Sequence, residues 1–137
     1  MTSRQLSRSV AELALSKKAY DVVILDLRKV TTTTDYFIIC SADSDTQVKA
    51  IANHIEIEMK KKGSRPWHIE GLQALQWILM DYVDIVVHIF LRESRGFYNL
   101  ERLWGDAAFY DVIDKAKGVI VTPRKEPKKK LRKRTMK

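Results

Sequence analysis

The amino-acid sequence predicts an α/β (α+β) fold in layers: a single domain whose mixed sheet of about five strands is covered by helices. Three observations carry this. First, Val22-Val23-Ile24-Leu25 and Tyr36-Phe37-Ile38-Ile39-Cys40 are short unbroken apolar runs without alternation, the pattern of strands buried on both faces. Second, a stretch with apolar residues at helical spacing precedes the first run and another follows the second, so helices are at hand to cover the sheet. Third, 137 residues that are 45% apolar and 31% charged suffice for one packed core and exclude a wholly disordered chain.

Leu6, Val10, Leu13 and Ala14 share one helical face, which predicts a short amphipathic helix over 4–18. The two apolar runs, separated by threonines, are the first two strands. Ser44 or Asp45 then offers a cap for the free amides of a new helix. Its stripe is Val48, Ile51, Ala52, Ile55 and Met59, with Ile57 opposite. Lys60-Lys61-Lys62 complements the negative end of its dipole, and Gly63 supplies a left-handed stop. Pro66-Trp67-His68-Ile69 reads as a short edge strand. Gln76–Asp81 and Ile85–Leu91 read as a hairpin, because Ile85, Val87, Ile89 and Leu91 alternate with Val86, His88 and Phe90. A helical turn over Leu100–Trp104 and a short helix near 106–116 complete the expected domain, residues 1–122.

The formal charge of +8 is unevenly spread. Residues 123–137 hold nine basic groups, Arg124, Lys125, Lys128, Lys129, Lys130, Arg132, Lys133, Arg134 and Lys137, against Glu126 alone. The preceding 122 residues hold sixteen basic and sixteen acidic groups, so a neutral body carries a basic, disordered tail. Such a tail neutralises phosphates without reading sequence, since it has no aromatic residue to stack on bases. The N-terminus lacks the apolar core of a signal peptide, no apolar run reaches bilayer length, and a lone cysteine forms neither an internal disulfide nor a thiolate zinc cage. The expectation is a cytoplasmic protein.

Asp43-Ser44-Asp45 follows a strand and opens a helix. Two such carboxylates could hold Mg²⁺ beside a nucleotide phosphate, which makes a nucleotidyltransferase one reading. The simpler reading is that both acids serve the helix N-terminus, and no glycine-rich phosphate loop accompanies them. His68, Glu70, Asp81, Asp84 and His88 show no local ligand spacing, so no metal and no cofactor is expected. Cys40 within an apolar strand is an inert packing residue. Trp77, Tyr82, Tyr98 and Trp104 stand among Glu70, Asp81, Asp84, Arg95 and Glu101. Aromatics ringed by charge suit a protein-binding hot spot, with about half of them expected to be buried. A general RNA-binding protein acting through the tail is a further reading.

Six blocks occur in order: Asp21–Asp26, Asp35–Cys40, Glu70-Gly71, Trp77–Tyr82, Asp84–Phe90 and Arg95–Trp104. Over about residues 4–108 this series resembles the ribosomal silencing factor (Iojap-like) family. The resemblance implies a nucleotidyltransferase-like sheet without a working active site, and a non-enzymatic role. It implies a protein that binds the large ribosomal subunit through its protein fourteen, blocks joining with the small subunit and represses translation under nutrient limitation, and that can form a homodimer. Carried over by block, Trp77 and Tyr82 would face protein fourteen. Asp81 and Glu70 would supply complementary charge, and His88 and Tyr98 fall in matching blocks. The tail lies outside the shared region, and it is its charge, not the resemblance, that assigns Arg124 to Arg134 to ribosomal RNA nearby. One departure is Val83, where the family usually has glycine. A β-branched residue disfavours positive φ, which argues for a wider hairpin there or for a different presentation of Tyr82.

Overall fold

The computed structural model describes residues 1–115 and 118–124. Among them the elements are α1 (Ser3–Ser16), β1 (Tyr20–Asp26), β2 (Tyr36–Ala42), α2 (Asp45–Lys61), β3 (His68–Glu70), β4 (Trp77–Asp81), β5 (Ile85–Leu91), α3 (Arg92–Tyr98), α4 (Leu100–Leu103), β6 (Ala108–Lys115) and β7 (Gly118–Pro123). The strands make one seven-stranded sheet in the order β3-β4-β5-β2-β1-β6-β7. β2 and β5 run parallel at the centre, and the other neighbouring pairs are antiparallel. The class is the expected one, a mixed sheet with helical cover.

Both long helices start and stop where the sequence provides caps. Thr2 and Gln5 form a reciprocal capping box on α1. Ser44 Oγ accepts from the Gln47 amide at the start of α2. At its end the Gly63 amide donates to the Lys60 carbonyl and the Ser64 amide to the Met59 carbonyl, with Gly63 at φ +86°. That is a Schellman closure, which needs a left-handed residue at the glycine. The predicted α2 stripe, Val48, Ile51, Ala52, Ile55 and Met59, is buried throughout. It joins Val10, Ala11 and Ala14 of α1 over Ile24, Ile38, Ile78, Met80, Val87 and Ile89. This is the thicker layer.

The helix expected near 106–116 is instead strand β6. Phe109 and Val112, and Tyr110 and Ile113, are three apart, so a short stretch satisfies a helical period as well as a strand. The open edge of β1 decides: Val23 to Asp26 pair with Asp111 to Ala108, giving a buried strand its second set of backbone partners. β7 folds back on β6, which raises the strand count from the expected five to seven. The ladder runs to the Tyr110–Pro123 pair. The Arg124 amide donates to the Phe109 carbonyl at 2.8 Å, and its guanidinium pairs with Asp111 and lies over the Phe109 ring. Arg124 is therefore engaged in the sheet edge. Lys125, Lys128, Lys129, Lys130, Arg132, Lys133 and Arg134, and the disorder expected of the tail, lie outside the described residues.

The β4–β5 hairpin is tight rather than wide. Val83 sits at φ +75°, the Asp84 amide donates to the Tyr82 carbonyl at 2.9 Å, and the Tyr82 amide donates to the Ile85 carbonyl at 2.9 Å. This is a γ-turn of the rare positive-φ form. Asp81 holds it by accepting from the Val83 amide at 2.8 Å. The valine side chain is solvent-exposed, so the cost is backbone strain alone. Val83→Gly is expected to stabilise the chain by about 1 kcal/mol, the relieved strain outweighing the extra freedom of glycine in the unfolded chain. A rise in the urea midpoint at unchanged m-value checks it.

Candidate functional site

The opposite face of the sheet is thinly covered. Its buried residues are Val23, Leu25, Leu27, Phe37, Ile39, Val86, Phe90 and Leu100, with Trp77, Leu79, Trp104 and Phe109 half-buried around them. Strand alternation sorts the candidate residues. Trp77, Leu79 and Asp81 lie on this face, while Ile78, Met80 and Tyr82 enter the helix-covered core. His68 and Glu70 stand opposite Asp81 and Leu79 in register, so they share the open face, and His88 and Phe90 of β5 share it too.

Aromatic stacking organises the centre. The Trp77 ring lies 5.0 Å from Phe90 and 4.7 Å from Tyr98, centroid to centroid. Trp77 Nε1–H donates to His88 Nδ1 at 3.1 Å, a diagonal contact across the hairpin. Phe37 meets His88 edge-on at 4.4 Å and Trp104 at 5.4 Å. Tyr98, 45% exposed, is the outer plate of the stack. Glu70 is exposed and contacts His68 Nε2 at 2.6 Å. The structure thus brings Trp77, Asp81, Glu70, His88 and Tyr98 onto one face, with the tryptophan half-buried.

Tyr82 is elsewhere. It is buried under α2, and burial, then the Glu56 charge, pushes its hydroxyl well above the usual tyrosine range. Alternation along 77–82 was the signal that separates it from Trp77. Sequence reasoning also passed over Thr34, Phe37, Trp67 and Leu79, which line a groove on the open face with Asp81, Val83, Val86, His88 and Trp104. Phe37 and Leu79 were legible as the same-face neighbours of His88 once β2, β4 and β5 were set side by side. Thr34 and Trp67 lie in loops that carry no period.

His88 is 3% exposed, and burial depresses its pKa to about 3. The folded imidazole is therefore neutral where an unfolded histidine, at about 6.5, takes up a proton. Between about pH 6 and pH 4 the unfolded state binds the extra proton, so stability falls as pH falls, by about 1.4 kcal/mol per unit. Urea denaturation across that range, with His88→Phe as comparison, is expected to show this one-proton slope in the parent chain and its loss in the variant.

Two short helices flank the stack and are tied to the sheet by one guanidinium. Arg95 donates from Nη1 to the Asp21 carbonyl at 2.6 Å and to Ser41 Oγ at 2.9 Å. It also donates from Nε and Nη2 to the Glu101 carboxylate at 3.1 and 2.9 Å. Asn99, at φ +50°, turns the chain from α3 into α4. The predicted turn at Leu100–Trp104 is α4. α3 went unforeseen, its seven residues carrying Gly96 and little apolar pattern.

The other chemistry resolves into structural roles. Asp43 accepts from the Tyr20 hydroxyl at 2.7 Å and from Arg92 at 3.3 Å, and Asp45 sits in the first turn of α2. Among the described residues no three His, Cys, Asp or Glu groups gather as a metal site. Cys40 is fully buried, and burial pushes its thiol up to about 12. Among the described residues no helix is long and apolar enough to cross a membrane.

Comparison with known proteins gives the chain's relatives. Residues 1–137 match the sequence model of the family described as ribosomal silencing factor during starvation. The ribosomal silencing factor RsfS of Bacillus subtilis is 38% identical over 112 residues, spanning 82% of this chain and 95% of that protein. The chloroplastic protein Iojap of maize is 37% identical over 99 residues, 72% of this chain and 43% of that protein. Crystal structures align from Chromobacterium violaceum (TM-score 0.75, 34% identity, 77% of this chain and 88% of that one) and Bacillus halodurans (TM-score 0.64, 36%, 74% and 91%). By sequence over its whole length and by fold, the chain belongs to the ribosomal silencing factor family.

Proposed function

We propose that this chain binds the large ribosomal subunit through its protein fourteen, keeps the small subunit from joining, and so represses translation under nutrient limitation, without catalysis. The observation that carries it is the open sheet face, on which a stacked aromatic centre is rimmed by Glu70 and Asp81 and flanked by α3 and α4, which the Arg95–Glu101 contact ties together. A rigid aromatic anchor with acidic groups at its rim suits a basic protein surface. Family membership supplies the ribosome, and a mouse relative named for assembly of the ribosomal large subunit, 31% identical over 107 residues, favours that subunit. Blocking requires no chemistry, because a folded body on a joining surface excludes the other subunit by volume.

Sedimentation with purified subunits tests this. The protein is expected to travel with large subunits and to reduce the joined particle in proportion to its occupancy. Travel with small subunits alone, or unhindered joining at saturating protein, would reject the reading. The basic tail is assigned to ribosomal RNA nearby. Deleting 125–137 is expected to leave binding at low salt while making its salt dependence shallower.

A further inference from the structure

The groove on the open face, about 520 Å³, is largely apolar, with Thr31 and Thr33 also in its lining, and two of its lining residues carry buried polar atoms that nothing among the described residues satisfies, His88 Nε2 and Thr34 Oγ1. His88 is 3% exposed and Thr34 7%. The tautomer of the histidine follows from its other nitrogen. Nδ1 accepts from the Trp77 indole, so the single proton of the neutral ring is on Nε2, a buried atom of a residue that lines the groove. A buried donor without an acceptor is a standing cost to the fold, and an occupant that supplies the acceptor relieves it on binding. The walls are Phe37, Leu79, Val86 and Trp104, with Trp67, 76% exposed, at the mouth. The charged group in the lining is Asp81, one carboxylate oxygen of which is already taken by the Val83 amide.

We propose that this groove takes a primary amide, the side chain of an asparagine or glutamine of the docking partner, its carbonyl accepting from His88 Nε2–H and its amide group facing Thr34 and Asp81. The proposal rests on the reading of this face as the docking surface and names what enters it. The chemistry discriminates among occupants. A carboxylate would be buried beside Asp81 and opposed by it. An ammonium or guanidinium has no acceptor for the imidazole proton. An aliphatic side chain would leave both buried polar atoms unpaired. A carboxamide carries one acceptor and two donors on a short flat stem, and its apolar faces suit the tryptophan walls. A nucleobase would stack on the same rings, but the groove lining offers no lysine or arginine for its phosphate and places Asp81 there instead.

The test uses the full chain, labelled with ¹⁵N, with benzamide as probe, benzoate as its charged isostere and adenosine monophosphate as the nucleobase. Benzamide is expected to move the His88 Nε2 resonance and the Trp67 and Trp104 indole signals saturably, while benzoate leaves them in place. Thr34→Val removes an unpaired hydroxyl at constant shape, so its urea midpoint is expected not to fall, yet benzamide and large subunits should each bind it about tenfold more weakly. Benzamide that leaves the His88 ring unmoved, or that binds Thr34→Val as well as the parent, overturns the proposal. Adenosine monophosphate moving the ring in place of benzamide overturns it in favour of RNA. Large subunits that ignore the parent chain would sink the docking reading, whereas the benzamide titration judges the groove by itself.

Discussion

Gly71→Ala is expected to lower stability by about 3 kcal/mol and to weaken binding to the large subunit with it. Gly71 lies at φ +91°, in the region that favours glycine, and a Cβ built there would fall 2.0 Å from the Trp77 carbonyl oxygen and 3.2 Å from Ile78 Cα. Those atoms are backbone of β4, which is laddered to β3 on one side and β5 on the other. They cannot yield as a flexible side chain would, so β3 and its turn must part from β4. The Leu75 amide, which donates to the Gly71 carbonyl at 3.1 Å, would lose its partner as well. Because the clash falls on Trp77, the stack and the acidic rim on Glu70 move together. Urea denaturation alongside subunit sedimentation checks this, and a variant as stable as the parent would mean that the turn is open where a close approach is described.

Arg95→Ala is expected to cost about 3 kcal/mol. Its side chain is 12% exposed and that of Glu101 20%, so the pair is largely removed from water. Deleting one member leaves the other charge poorly solvated and strips donors from the Asp21 carbonyl and Ser41 Oγ. Asp21 stands at φ +49° where the β1–β2 register shifts, so the arginine also pins an irregular stretch of backbone. The consequence reaches function through Tyr98, whose helix is held by this contact. Arg95→Ala/Glu101→Ala is expected to be less unstable than the sum of the single variants, since it leaves no unpaired charge. Additive losses would show that the two side chains act separately.

What the sequence made legible follows the strength of its periodic signals. α2 was readable end to end because cap, stripe, basic last turn and glycine stop agree. The β4–β5 hairpin was readable because two short apolar runs, Trp77–Met80 and Ile85–Leu91, flank a brief link that carries Asp81 and Asp84. β6 was not, because eight residues with apolar groups three apart fit either period until the edge of β1 is known to need a partner. At the site, the aromatic and acidic composition of the face could be read in advance, but its assembly could not. Trp77 and His88 are eleven residues apart, and their hydrogen bond depends on the register that sets Trp77 against Phe90 and Leu79 against His88. Alternation alone would have placed Tyr82 in the core. Val83 shows the converse: residue preference argued for a wide turn, and two backbone hydrogen bonds with an Asp81 cap outweighed it.

The C-terminal hairpin has a protective consequence for the whole molecule. The centre of β1, Val22 to Leu25, is an uncharged run of valines, isoleucine and leucine, and the outer rim of the strand is occupied by β6. A chain clipped by a protease before Ala108 would present that rim, bare and sticky, to every other clipped chain in solution, the geometry from which fibrils grow. β6 and β7 thus act as a selvedge, covering that rim and finishing the fabric of the sheet with a short border strand, Gly118–Pro123, that stops at a proline.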